Sequence, residues 1–129
     1  MNTFPLFAHL ENEPVLVVGG GTVAERKIQS LLAARAHVLV VAARLNATLS
    51  EWQEAGRIQW LSEQFSDGQV TEAVLVIAAT DDEALNRQVS AAAKAAKKLV
   101  NVVDQLELCS FTVPAVIDRS PVQIAVSSG

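Results

Sequence analysis

Residues 15–27 read VLVVGGGTVAERK, and this stretch decides the fold. Val15–Val18 is a short, uninterrupted apolar run of the kind a fully buried strand shows. Three glycines follow. Val23, Ile28, Leu31 and Leu32 then recur at helical spacing as far as Ala33-Ala34. Gly19, Gly21 and Ala24 therefore fit G-x-G-x-x-A between a strand and a helix. Each position has its own physical reason. Gly19 permits the tight turn, Gly21 lets a pyrophosphate approach the backbone, and Ala24 lets the helix pack close to the strand. The helix N-terminus then offers free N–H groups and partial positive charge to phosphates. The plain alternative is a tight turn that needs glycine and holds nothing.

The same alternation continues outward from this turn. His37–Ala42 is a second buried strand, and Ser50 to Ala55 a short helix stopped at Gly56. Ile58 and Trp60 mark a third, half-exposed strand, and Val74–Ala79 a fourth. Thr80-Asp81-Asp82-Glu83 has the form of a capping box, opening a helix through about Lys97. Leu99–Val103 is a fifth strand. Strands alternating with helices predict an α/β fold: a Rossmann-like, doubly wound, mainly parallel sheet. The rhythm breaks in the last part. Phe111–Ile117 and Val122–Val126 read as strands around an Asp118–Pro121 turn, a hairpin-like extension in which Pro114 demotes the first run to an edge. The expected division is a nucleotide-binding domain over residues 1–109 and the start of a further region over 110–129. The abrupt end without a covering helix suggests a piece of something longer.

Composition narrows the class. Of the 129 residues, 50% are hydrophobic and 5% aromatic, with Ala, Val and Leu dominant, as a buried parallel sheet under Ala-rich helices requires. The net charge of −4 argues against a nucleic-acid or anionic-membrane surface. No apolar run approaches the roughly 18 residues of a membrane span, and the N-terminus lacks the pattern of a signal peptide. Cys109 is the single cysteine, so a cytoplasmic location is the expectation. It reads as a small buried hydrophobe, Lys94, Lys97 and Lys98 as a solvated helix end, and Trp52 and Trp60 as packing residues. Neither His9 nor His37 suggests a metal site.

The second strand should end in an acid, about 20 residues past the turn, to hold the ribose of NAD. Ala43 and Arg44 stand there instead. Arg44 suits a 2′-phosphate and NADP, but equally an adenine contact or plain solvation, so the residues leave NAD and NADP open. The missing acid weakens a rival reading, an S-adenosylmethionine-dependent methyltransferase. A third reading is a nucleotide-sensing domain without catalysis. Ligands bind at the carboxyl ends of strands in such sheets. Asp81 and Asp82 follow strand four, where a helix cap explains them. Asp104 follows strand five in NVVD with no clear helix after it, and a general base is its functional reading.

FPLF near the start, VVGGGTVAERK, IAATDD, NVVD and the closing PAVIDRSPVQIAVSSG together resemble the N-terminal module of the siroheme synthase family, in order, from Phe4 to Gly129. The resemblance implies NAD-dependent oxidation of precorrin-2 to sirohydrochlorin, then Fe²⁺ insertion as substrate to give siroheme, with no metal held by the protein. It implies Asp104 as catalytic residue, and Thr22, Val23, Ala43 and Arg44 as contacts to NAD. It also implies a homodimer built partly by the Phe111–Val126 extension, a tetrapyrrole substrate whose carboxylates Arg119 would meet, and Ser128 as a phosphorylation site.

Overall fold

The computed structural model describes residues 3–127. Five strands, β1 (Pro14–Val18), β2 (His37–Val41), β3 (Gln59–Ser62), β4 (Leu75–Ala78) and β5 (Leu99–Val102), form one parallel sheet. Their order is β3-β2-β1-β4-β5. The chain winds outward from β1 to β3, returns to the other side of β1, and winds outward again. This is the Rossmann-like order, and its direction reverses between β1 and β4.

The apolar runs fold this way because each strand feeds two cores at once. Side chains alternate faces along a strand. Val15, Val17, Val38, Val40 and Ile77 pack on one face, against Ala24, Ile28 and Leu31 of α1 (Thr22–Ala33) and Leu49 of α2 (Ala47–Glu54). Leu16, Val18, Leu39, Val41, Val76 and Val100 pack on the other, against Val89 and Ala93 of α3 (Glu83–Ala95). Val70, from a 3-10 turn over Asp67–Glu72, completes that second layer. At about 1.5–3 kcal/mol for each fully buried valine or leucine, these two layers hold the sheet.

Several boundaries differ from expectation. Helix α2 starts three residues early because Asn46, rather than Ser50, opens it: its Oδ1 accepts from the Leu49 N–H at 2.9 Å. Helix α3 is capped by Asp82, not Thr80, through its Oδ1 and the Leu85 N–H at 3.1 Å. Val23 sits half-exposed at the mouth of the sheet, whereas Ala24 is fully buried. Cys109 is half-buried and hydrogen-bonded; its Sγ accepts from the Val102 N–H at 3.1 Å. Together with Ser110, whose N–H meets the Val100 carbonyl at 2.8 Å, it covers the open edge of β5.

The extension is a separate antiparallel hairpin, β6 (Ala115–Arg119) and β7 (Val122–Val126). It begins after Pro114. Asp118 and Arg119 are strand residues paired with Gln123 and Val122, so the turn is only Ser120-Pro121. Ile117 lies opposite Ile124 and Ala115 opposite Val126, which puts these four and Val122 on one exposed apolar face.

Candidate functional site

The glycine turn lies where the strand order reverses. A Cβ on Gly19 would strike the Ala79 carbonyl, and the backbone there has φ +139°, a conformation L side chains rarely adopt. Gly20 is the tightest position: a Cβ would strike the Arg44 carbonyl and lie 2.9 Å from the Ala42 Cβ. Gly21 has nothing within 4 Å of its Cβ position. The first two glycines let three βα turns crowd together, and the third faces open space. Sequence reasoning missed Gly20, although the unbroken GGG was the available signal.

Gly21 is the N-cap of α1 and supplies no side-chain cap, so the first turn's N–H groups face the opening uncapped by the protein. Asn46 locks the neighbouring loop to this turn. Its backbone N–H donates to the Gly20 carbonyl at 2.9 Å, and its Nδ2 to Glu25 Oε1 on α1 at 2.9 Å. On the other side, buried Asn86 holds the β4–α3 turn by accepting from Thr80 Oγ1 at 2.7 Å and donating to the Thr80 carbonyl at 3.0 Å. Thr80 is thus a turn anchor. Neither asparagine carried a functional signal in the sequence, although Asn is among the residue types that cap helices, which was the available signal at Asn46.

These turns wall a cleft of about 1340 Å³ along the carboxyl ends of the strands. Gly19, Gly21, Thr22, Val23, Ala43, Arg44 and Asp104 all line it, as do Asp81 and Asp82. Ala24 does not: it is fully buried behind the turn, and its Cβ lies 3.4 Å from where a Gly19 Cβ would stand. That is the close helix–strand packing expected of a small residue here. Arg119 does not line the cleft either; it lies exposed on the hairpin, its Nη1 donating to the Asp118 carbonyl at 3.1 Å. Ser128 lies outside the described residues. Glu63, Gln64 and Phe65, from the loop after β3, close one wall, and nothing in their sequence announced it.

Asp104 is exposed, with φ +63°, the left-handed region that Asp tolerates better than most residues. It projects from the end of β5, directly after Val103, whose N–H extends the ladder to the Ala78 carbonyl at 3.0 Å. The chain continues into a short 3-10 turn, Leu106–Leu108. Among the described residues, no group of three or more His, Cys, Asp or Glu side chains could hold a metal ion. No helix among them is long and apolar enough to cross a membrane.

An uncapped helix N-terminus above an open glycine suits a dinucleotide pyrophosphate, and a cleft of about 1340 Å³ has the volume for the rest of the molecule. A family described as "Putative NAD(P)-binding" matches residues 6–115. The chain is 55% identical over its whole length to siroheme synthase of Mannheimia succiniciproducens, of which it covers 27%. It is 55% identical over 128 residues to siroheme synthase of Neisseria meningitidis serogroup B, covering 26% of that protein. The chain thus spans about a quarter of the length of these curated relatives. Among solved structures, SirC, a precorrin-2 dehydrogenase, superposes with a TM-score of 0.80 at 28% identity, over 98% of this chain and 62% of that one.

Proposed function

The chain belongs to this NAD(P)-binding family, and from that premise we propose that it carries out the NAD-dependent oxidation of precorrin-2 to sirohydrochlorin. The observation that carries the reading is the meeting of the glycine turn and Asp104 in one cleft. The likeness to siroheme synthases and to a precorrin-2 dehydrogenase supports the substrate.

The uncapped first turn of α1, Thr22 and Val23 above all, would hold the pyrophosphate, with Gly21 leaving room for it. Ala43 and Arg44 would flank the adenosine end, where no carboxylate ends β2. When bound, NAD supplies the hydride acceptor. Oxidation removes a hydride and a proton from the substrate, and the Asp104 carboxylate takes the proton. The walls beside Asp104 would hold the macrocycle within reach of that carboxylate.

The same carboxylate would accept pyrrole protons when Fe²⁺ enters as substrate of the second reaction. The macrocycle's own nitrogens receive the iron, so no protein ligand set is needed. We read residues 1–109 as the nucleotide-binding unit and 110–129 as the start of a dimerising, substrate-facing region. An isolated hairpin is marginally stable at best, which supports a second copy packing on the Ile117–Ile124 face. That arrangement would bring Arg119 to substrate carboxylates.

The test supplies precorrin-2 and NAD to the protein carrying this chain and follows NADH formation. Turnover is expected. Asp104→Asn, which keeps a residue tolerant of φ +63°, should lose at least about 100-fold in rate with NADH affinity intact. Undiminished turnover in that variant would remove Asp104 from the reaction. NAD bound but never consumed would favour the sensing alternative, and calorimetric binding of S-adenosylmethionine alone would favour a methyltransferase.

A further inference from the structure

A second, smaller cavity of about 370 Å³ lies beside the main cleft and shares Val103, Asp104 and Gln105 with it. Lys27, Asn101 and Thr112 also line it. We propose that this cavity seats one carboxylate-bearing pyrrole edge of the tetrapyrrole, with Lys27 as the cation for its carboxylate. The proposal rests on the substrate reading above and adds where that substrate docks.

Charge separates the two spaces. The main cleft carries Glu63, Asp81, Asp82 and Glu83 besides Asp104, against the one cation Arg44, which stands at the adenosine end, in a chain of net charge −4. A polycarboxylate placed there would meet like charges. The smaller cavity contains Lys27, which comes from the same helix as the phosphate-binding turn but lies more than one turn further along it. Lys27 is half-buried. The described ion pairs are Arg35–Glu11 and Arg87–Glu83, so its ammonium has no carboxylate within 4.0 Å among the described residues. Lys27 and Asp104 share one cavity wall without pairing, which leaves the cation for a third group.

A second observation points the same way. Gln105 Oε1 is buried and has no hydrogen-bond partner. A buried acceptor without a donor is costly, by about 1–3 kcal/mol, and such groups ordinarily find one. A pyrrolic N–H in the cavity is a donor of the right kind once the Gln105 side chain, which lines the same wall, turns its oxygen toward it. The cavity is at the small end for a ligand pocket and cannot enclose a macrocycle. It suits one ring edge, leaving the ring's oxidisable face beside Asp104 at the junction of the two spaces. The cofactor then approaches from one side of Asp104 and the substrate from the other.

The experiment compares Lys27→Met, Lys27→Gln and Lys27→Arg with the wild-type protein. Met keeps the apolar stem without the charge, and Gln guards against a variant that fails to fold. Sirohydrochlorin and NADH binding are titrated separately, and precorrin-2 oxidation gives KM and kcat. In the Met and Gln variants, sirohydrochlorin Kd and precorrin-2 KM should both rise about tenfold, the loss of one charge-assisted contact. The rate constant and NADH affinity should hold, and Lys27→Arg should recover most of the binding. Unchanged sirohydrochlorin Kd in Met and Gln overturns the subsite, whether or not the wild type oxidises precorrin-2. A fall in NADH affinity matching that in sirohydrochlorin also overturns it. Wild-type protein that binds sirohydrochlorin through Lys27 but never oxidises precorrin-2 would sink the reaction and leave the subsite standing.

Discussion

Gly20→Ala and Gly21→Ala differ by one position and should fail in opposite ways. At Gly20 the new methyl would strike the Arg44 carbonyl and crowd the Ala42 Cβ at 2.9 Å. Both obstacles belong to the β2–α2 loop, and one is backbone, so no side-chain rotation relieves them. The loop must move by about 1 Å, a displacement that overpacking typically charges at about 1–3 kcal/mol. The move also breaks the hydrogen bond from the Asn46 N–H to the Gly20 carbonyl, 2.9 Å long, for about another 1 kcal/mol. The sum is about 2–4 kcal/mol, or roughly 10 °C in melting temperature for a domain of this size. At Gly21 the backbone has φ −102°, open to any residue, and the Cβ position is empty to 4 Å. Gly21→Ala should therefore melt within about 2 °C of wild type. Its methyl instead occupies the phosphate's approach, and NADH should bind at least about tenfold more weakly. Thermal denaturation by circular dichroism and NADH titration read the two effects separately. A Gly20→Ala variant that melts like wild type, or a Gly21→Ala variant that binds NADH like wild type, would refute the division of labour within the turn.

Two further outcomes follow from the same geometry. Asn46→Ala removes the α2 cap and the tie to Glu25, and should cost about 1–2 kcal/mol in urea denaturation; NADH affinity should fall as well, because the loop it holds carries Ala43 and Arg44. Ile124→Lys places a charge in the middle of the apolar hairpin face, and sedimentation should show a dimeric wild type becoming monomeric while the sheet's melting transition stays put; a dimer that persists would remove the hairpin face from the interface.

The glycine turn shows how sequence and structure divided the information. The motif marked Gly19, Gly21 and Ala24, and the structure shows tight approach at the first, open space at the second and buried packing at the third. Gly20 stood in a variable position of the motif, and its need for glycine comes from Arg44, which reaches it only through the fold. The Thr80–Glu83 stretch illustrates the opposite error. Two residues there can cap a helix, and the choice of Asp82 follows from Asn86 holding Thr80 in the turn, an anchor six residues away that no local pattern weights. The hairpin was legible as two strands, but its turn was placed too early because Asp and Arg read as turn residues until strand pairing claimed them.

The strands, their alternation with helices and the glycine turn were all readable from the residues alone. Short apolar runs, helical periodicity and glycine spacing are local signals, fixed by backbone geometry within a few residues. Neighbours in a run must point opposite ways, but which of the two layers each enters is a property of the packed sheet. Only the tertiary structure decided what meets at the carboxyl edge of the sheet. Asp104 lies 83 positions after Gly21 in the chain, yet both line one cleft because the strand order reverses at β1 and brings β4 and β5 alongside. Nothing in the sequence singled out Lys27. Its place in a cavity with Asp104 and a buried, unpartnered Gln105 oxygen depends on how α1 packs across the sheet, and packing between distant segments leaves no mark on the residues nearby.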